Sequence, residues 1–219
     1  MAEPQDRREA ILSAAAEMFA RKGLQATTVR GIAEAVGLFS GSLYHHFPSK
    51  DAIIDEVLTR YLDAIRSRYA VVLASGKRPA ECLHDLVVTS LEVAEQHPDA
   101  TAIYQNDAQY LRENPGFRHI QTAAAEIQRT WLRVIEAGVA DGSFRGDLPP
   151  RVFYRLIRDA VWLSTRWHRP GGSYSTHQLA EDVTAVFLHG FAASGSRQVL
   201  AARKASAPVK APEDRASKV

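Results

Sequence analysis

The sequence has one cysteine and no long apolar run, and each scarcity excludes a class of protein. Cys82 is the single cysteine among 219 residues, so the chain cannot form an internal disulfide. No stretch approaches the roughly 20 apolar residues of a membrane-spanning helix, and the N-terminus lacks the pattern of a cleavable signal. We therefore expect a cytoplasmic protein that does not interact with membranes.

The motifs of common catalytic, cofactor and metal sites are also missing. The eight histidines include no HExxH pair, and no set of cysteines is present to complete a metal site with them. The chain has no GxGxxG and no P-loop, and Ser40 does not follow a strand as the serine of a nucleophile elbow does. The sequence therefore indicates no enzyme, no cofactor and no metal site.

The chain also lacks a large excess of positive or negative charge. The net charge is +2, and hydrophobic and charged residues make up 46% and 24% of the chain, the ordinary balance of a soluble globular protein. From Arg197 to Val219 basic residues outnumber acidic ones, so the rest of the chain carries a slight negative charge. Any contact with nucleic acid would therefore depend on individually placed donors rather than on a broad basic field.

The stretch Gly23 to Lys50 has the spacing of two short helices joined by a tight turn. Thr27 or Thr28 can cap the first helix, and Gly37 can turn the chain because glycine tolerates a positive φ. Ser40 is placed to cap the second helix. The apolar residues of the first helix fall at i, i+3, i+4 and i+7, and they are Val29, Ile32, Ala33 and Val36. Periodicity alone fits either a helix-turn-helix or a structural helix hairpin.

The outward face of the second predicted helix favours DNA binding. It carries Ser42, Tyr44 and His45 and no acid, and hydroxyl and imidazole groups can hydrogen-bond to base edges and phosphates. Gly41 permits a close approach of the backbone. A helix of this kind suits insertion into a major groove.

The run T-T-V-R-x-I-A-x-x-V-G, followed by S-G-S-L-Y-H-H-F-x-S-K, resembles the DNA-binding domain of the TetR/AcrR family of bacterial transcriptional repressors. The match covers about Arg7 to Asp51, and it is specific because it fixes many residue types at set spacings. The resemblance implies a homodimer of all-α subunits that binds double-stranded operator DNA and a small effector. The chain also resembles the actinobacterial members that control lipid and steroid breakdown.

Transfer of the family's motif, position by position, implies the DNA contacts. Thr28 and Arg30 should contact the DNA backbone, and Lys50 should contact a phosphate. The reading helix would contribute Ser40, Gly41, Ser42, Tyr44 and His45. Phe39 departs from the small or polar residue of many members, and it either contacts a thymine methyl group or covers the turn.

Helical periodicity interrupted by Gly and Pro predicts an all-α fold of about nine helices. We expect a three-helix helix-turn-helix domain at 1–50, a ligand-binding and dimerisation domain at 51–195, and a disordered basic tail at 196–219. A long helix that begins at Lys50 runs from the first domain into the second, where it can act as a lever.

The last two long helices, about Pro150 to Trp167 and about Ser175 to Ala193, have more apolar surface than one core needs. An intrachain helix pair is one interpretation of this surplus. The family resemblance favours the other, in which the pair forms half of a four-helix bundle between two subunits.

Two groups of residues are candidates for the effector pocket, which the resemblance places among the helices of the larger domain. On a late helix Arg158 and Trp162 lie at i and i+4, hence on one face. Such a pair can bind a carboxylate or phosphate and pack on an apolar skeleton, although a surface arginine paired with Asp159 is the alternative. The other group combines a helix expected from Pro98 to about Arg112 with one distant side chain, and it contains Tyr104, Asn106, Gln109, Tyr110 and Trp131.

The pocket interpretation predicts a largely apolar acid, or its coenzyme A thioester, as the effector. A helical acyl-binding or interaction protein without DNA binding is an alternative function, and it would place no demand on Tyr44, His45 and Lys50. A helical hydrolase is a third, and it would require a base and a nucleophile that converge in the pocket. The sequence shows no such pair.

Overall fold

The computed structural model describes residues 4–190, in which turns, loops and one 3-10 helix (Pro115–Phe117) join ten α-helices. They are α1 (Pro4–Lys22), α2 (Val29–Ala35), α3 (Ser40–Tyr44), α4 (Lys50–Ala74), α5 (Pro79–Gln96), α6 (Pro98–Asn106), α7 (Ala108–Glu113), α8 (Arg118–Ala140), α9 (Pro150–Ser164) and α10 (Thr176–His189). The predicted all-α class is confirmed. The predicted end of the last helix at Ala193 and the predicted basic tail at 196–219 lie outside the described residues.

A small apolar core joins α1, α2, α3 and the start of α4. Each large apolar side chain buried in it stabilises the fold by roughly 1.5–3 kcal/mol. Its fully buried members include Ile11, Ala15, Phe19, Leu24, Ile32, Leu43, Phe47, Ile53 and Ile54. This packing explains how α3, which is only five residues long, keeps a defined position.

Side-chain caps and one glycine define the ends of α2 and the start of α4. The Thr28 hydroxyl accepts a hydrogen bond from the Gly31 N–H at 3.1 Å, and the Ser49 hydroxyl accepts one from the Ala52 N–H at 3.1 Å. Each cap satisfies an N–H that has no partner within its helix. Gly37 has a φ of 68°, as the turn prediction required.

The predicted cap at Ser40 is wrong. Phe39 occupies the N-cap position of α3, and no side chain caps this helix. The first turn is held by the backbone instead, since the Phe39 carbonyl accepts hydrogen bonds from the N–H groups of Ser42 at 2.9 Å and Leu43 at 3.2 Å. The hydroxyl of Ser40 therefore takes no part in capping the helix.

The second half of α4 packs against α5 and α8, and buried hydrogen bonds tie these three helices together. Trp131 on α8 donates its indole N–H to the Tyr69 hydroxyl on α4 at 2.9 Å, and this hydroxyl lies 2.5 Å from the Ser90 hydroxyl on α5. Burial raises the pKa of the Tyr69 phenol. All helices as far as Leu188 belong to one compact unit.

The helix expected from Pro98 to about Arg112 is interrupted at Asp107, which explains why the described part of the chain has ten α-helices where about nine were predicted. Asp107 leaves the helical conformation with φ −103° and ψ 21°. Its carboxylate accepts a hydrogen bond at 3.2 Å from the N–H of Leu24, in the turn after α1. Residues before and after Asp107 therefore do not share one continuous helical face.

Candidate functional site

The side chains predicted to contact DNA lie at the surface around α2 and α3, where they are exposed or half-exposed. The Thr28 hydroxyl oxygen caps α2, which leaves its O–H free to donate. Arg30 pairs with Glu34 one turn further along α2, with 2.8 Å between Nε and Oε1. An exposed ion pair of this kind is weak, so the guanidinium can exchange it for a phosphate.

The α3 helix presents a polar outer surface with space in front of it. Leu43 points into the core, whereas Tyr44 is 52% exposed and His45 is exposed at the C-terminal end. A Cβ atom added at Gly41 would meet nothing within 4 Å, so no contact inside the protein requires this glycine. The open space instead permits a close approach by another molecule.

Lys50 has internal partners. Its ammonium donates hydrogen bonds to the carbonyl oxygens of Leu24 at 2.7 Å and Thr27 at 3.1 Å, in the loop between α1 and α2. It therefore fastens the start of α4 to that loop, which sequence reasoning did not foresee. These two bonds use two of the three N–H groups of the ammonium. A phosphate contact by Lys50 stays a prediction.

A cavity of about 570 Å³ lies among α4, α6, α7, α8 and α9. The predicted residues Tyr104, Arg158 and Trp162 line it. Its remaining walls are mainly apolar and amide side chains, with two further arginines, and they include Leu62, Ile65, Gln105, Leu111, Arg112, Ile120, Gln128, Tyr154 and Arg166. The structure thus brings together the three predicted residues of this cavity from two helices that are distant in sequence.

Tyr154 was missed by the sequence analysis, although a signal for it exists. Tyr154, Arg158 and Trp162 are spaced i, i+4 and i+8, so they form one row on α9. The Arg158 guanidinium carbon lies 5.7 Å from the centre of the Tyr154 ring. Burial raises the phenolic pKa of Tyr154.

Both interpretations of Arg158 describe part of its surroundings. Its guanidinium lines the cavity and also donates from Nε and Nη2 to one carboxylate oxygen of Asp159, at 2.9 and 2.7 Å. The side chains of Arg158 and Asp159 are 42% and 54% exposed, so their pairing is weak. Trp162 packs edge-on against the Tyr61 ring with 6.2 Å between ring centres.

The other four predicted pocket residues do not line this cavity. Trp131 does not line the cavity; it is buried in the core, where its indole N–H is bound to the Tyr69 hydroxyl. Gln109 is exposed and donates to Glu113 at 2.8 Å, and Asn106 lines an adjoining cavity of about 440 Å³.

Tyr110 is the remaining residue of that group, and it points to the DNA-binding part. Its hydroxyl donates to the Asp51 carboxylate at 3.1 Å, and its ring packs on Phe117. Tyr110 lies on α7, beyond the interruption at Asp107, whereas Tyr104 lies on α6.

The adjoining cavity shares Gln105 and Arg166 with the first one. The Gln105 amide donates to the Trp162 carbonyl at 2.8 Å, which links α6 to α9 between the two cavities. Among residues 4–190 no group of three or more His, Cys, Asp and Glu side chains is placed to hold a metal ion. None of the helices within this range has the length and apolar character needed to cross a membrane.

Two family models match the chain. The model described as "Bacterial regulatory proteins, tetR family" matches residues 11–57, and the one described as "Tetracyclin repressor-like, C-terminal domain" matches residues 76–191. The chain belongs to the TetR family. Members of this family are DNA-binding transcriptional regulators rather than enzymes, and this chain is a TetR-type transcriptional regulator.

Named relatives agree with this assignment. The HTH-type transcriptional repressor KstR2 of Rhodococcus jostii is 42% identical over 85% of this chain and 91% of its own length. KstR2 of Mycolicibacterium smegmatis is 43% identical over 88% of this chain and 94% of its own length.

Solved structures show the same fold. The ketosteroid transcriptional regulator KstR2 of Mycobacterium tuberculosis has a TM-score of 0.79 and 41% identity, covering 87% of this chain and 96% of that chain. AibR, in complex with isovaleryl coenzyme A and operator DNA, has a TM-score of 0.74 and 18% identity. The similarity covers 83% of this chain and 98% of the AibR chain. The second similarity concerns the fold alone.

Proposed function

We propose that this TetR-type repressor binds a palindromic operator as a homodimer and is released by a largely apolar carboxylic acid or its coenzyme A thioester. The proposed effector class is supported by the composition of the cavity wall, which combines Arg158 and Trp162 with apolar and aromatic side chains. A relative with 41% identity is described as a ketosteroid transcriptional regulator, and this supports steroid-derived acids as the first class to test.

The charge of the cavity favours an anionic ligand. Arg112, Arg158 and Arg166 line it, and Asp159 is the one carboxylate among its lining residues. Its volume of about 570 Å³ is in the range of small-molecule sites, which combine apolar walls with a few placed polar groups. Because Arg158 is half-exposed, a carboxylate or phosphate can bind it at the mouth while an apolar skeleton occupies the interior.

Exposed apolar side chains on α9 and α10 support dimerisation. Val152, Leu156 and Leu163 are 42%, 54% and 43% exposed on α9, and Val186 on α10 is 45% exposed. The three residues of α9 are spaced i, i+4 and i+11, so they lie on one face. Large apolar side chains grouped in this way are typical of a protein interface, and they favour a four-helix bundle between two subunits. Trp167, just beyond α9, is 61% exposed.

Release follows from two states of the dimer. In the operator-bound state the two α3 helices occupy successive major grooves, about 34 Å apart. The effector favours a second state in which α4 has moved and this separation has changed. A ligand shifts the balance only as far as its affinities for the two states differ, which typically amounts to about 1–3 kcal/mol.

A gel-shift experiment tests the proposal. The purified protein is mixed, at two salt concentrations, with DNA from immediately upstream of its own gene and with a panel of fatty acids, steroid-derived acids and their coenzyme A thioesters. We expect tight binding to one fragment and release by one class of ligand. Binding that no acid or thioester releases would contradict the effector class, and no specific binding at either salt concentration would contradict the operator function.

Two variants of α9 sharpen this experiment. Arg158→Met should bind operator like the wild type but require about 10-fold to 100-fold more effector for release, since a hydrogen-bonded charge contributes about 1.5–3 kcal/mol. Arg155→Met makes the same change at an exposed position of α9 outside the cavity lining and should respond like the wild type. Equal effector requirements in both variants would remove Arg158 from the binding site.

A further inference from the structure

Phe39 is the most exposed large apolar side chain among residues 4–190, with 88% of its surface open to solvent. It precedes the first residue of α3. Its neighbour Leu38 is half-buried and packs on the core, and the Leu38 N–H is bonded to the Ala33 carbonyl at 2.8 Å. The turn is therefore covered without Phe39, which excludes one of the two roles that the sequence allowed for this residue.

No other side chain at this end of α3 offers an apolar surface to DNA. Ser40 and Ser42 present hydroxyl groups, and Gly41 has no side chain and open space around it. Helix-turn-helix proteins contact bases with the N-terminal residues of the second helix, which is where Phe39 lies. Thymine is distinguished in the major groove by its C5-methyl group, which an apolar side chain can recognise.

We propose that Phe39 is a specificity-determining residue whose ring packs against a thymine methyl group in each operator half-site. The inference rests on the proposed operator binding. An apolar contact of this kind releases no counterions, whereas each phosphate contact makes the affinity depend on salt. Loss of the Phe39 ring should therefore change the base preference and leave the salt dependence of binding unchanged.

Replacement of thymine by deoxyuridine tests the contact, because the two bases differ only by the methyl group. The probe is the double-stranded DNA that the wild-type protein selects from a random pool, with each symmetric pair of thymines replaced in turn. Fluorescence anisotropy then gives the dissociation constant of each duplex. For the wild type, we expect one pair of replacements to weaken binding by about 15-fold, from about 4-fold for each methyl group.

The variant Phe39→Ser should be insensitive to that same pair of replacements, with a change below about 2-fold. Its affinity should fall while the slope of affinity against salt stays that of the wild type. Phe39→Leu keeps an apolar contact and should retain part of the sensitivity. Since Phe39 is exposed, both variants should unfold at the temperature of the wild type, which separates recognition from folding.

Three other results would contradict the proposed role of Phe39. If Phe39→Ser and the wild type respond equally to every replacement, the assignment of Phe39 is wrong while operator binding stands. A variant that is weaker at all positions, without loss of sensitivity at any thymine, would also overturn the methyl contact. If the wild type selects no sequence from the pool, operator binding itself fails, and the role of Phe39 fails with it.

Discussion

At the scale of residues, two basic side chains near the predicted DNA surface use their charge differently. Lys50 donates to the carbonyl oxygens of Leu24 and Thr27, so its ammonium stabilises the loop between α1 and α2. Arg30 is exposed and pairs only one turn away, with Glu34. The same motif-based prediction assigned both residues to DNA, but only Lys50 also bonds to the backbone of a distant loop.

Replacement of each residue by Met should distinguish a structural role from a binding role. Lys50→Met removes a charged donor and leaves two carbonyl groups without it, so we expect the free energy of unfolding in urea to fall by about 1–3 kcal/mol. Arg30→Met should unfold like the wild type, while the slope of log operator affinity against log salt falls by about 1. If Lys50→Met has wild-type stability and a reduced salt slope instead, its ammonium contacts a phosphate.

Single residues also show what periodicity can and cannot predict. The pattern of α8 places Trp131 on an inward face, but it does not determine whether that face meets core or cavity. The partner that decides this, Tyr69, lies on another helix, 62 positions earlier in the chain. The placement of Arg158 and Trp162 on one cavity wall was predictable, because a spacing of four residues fixes a common helical face.

At the scale of elements, α7 lies between the cavity and the DNA-binding part. On one side, Tyr110 on α7 and Asn114, directly after α7, donate to the two carboxylate oxygens of Asp51, at 3.1 and 3.2 Å. Asp51 belongs to the first turn of α4. On the other side, the residues that line the cavity are Ala108, Leu111 and Arg112. A ligand that displaces α7 therefore acts directly on the start of α4.

Tyr110→Phe removes one hydrogen bond of this connection without removing the ring. We expect operator binding and effector binding to persist separately, while the coupling between them falls by about 0.5–2 kcal/mol. The measurement is the ratio of operator dissociation constants with and without saturating effector. Gln109→Ala, which changes an exposed neighbour bonded to Glu113, should leave the ratio unchanged. An unchanged ratio in Tyr110→Phe would show that this bond carries no coupling.

The helices themselves were largely predictable, whereas the interruption between α6 and α7 was not. Apolar spacing and the residues Gly37, Ser49 and Pro98 mark helix ends through local chemistry. The carboxylate of Asp107 instead bonds to the Leu24 N–H, which lies 83 positions earlier in the chain. A partner so distant leaves no trace in local periodicity.

At the scale of the whole molecule, the exposed apolar row on α9 and α10 leads to a test of assembly. Leu156→Lys should place a charge in the proposed interface and weaken dimerisation by more than about 100-fold, since an unpaired charge there costs several kcal/mol. Sedimentation should then show monomers at concentrations where the wild type is dimeric, and operator affinity should fall because each monomer reaches one half-site.

Val71→Lys is the matched control, because Val71 is 70% exposed on α4, outside this row. It should sediment like the wild type. Identical sedimentation of Leu156→Lys and the wild type would exclude this face as the interface. The sequence could predict the surplus of apolar surface on these helices, but only the fold shows which of their side chains remain uncovered.

The three tryptophans of the chain occupy three different environments, and this gives the molecule its own optical probes. Trp131 is enclosed in the core, Trp162 is on the cavity wall, and Trp167 is 61% exposed beside the apolar row of α9. Indole fluorescence shifts with the polarity of its surroundings. The emission of Trp131 should therefore follow unfolding, that of Trp162 the arrival of an effector, and that of Trp167 the association of two subunits. Replacement of any two by phenylalanine isolates the signal of the third.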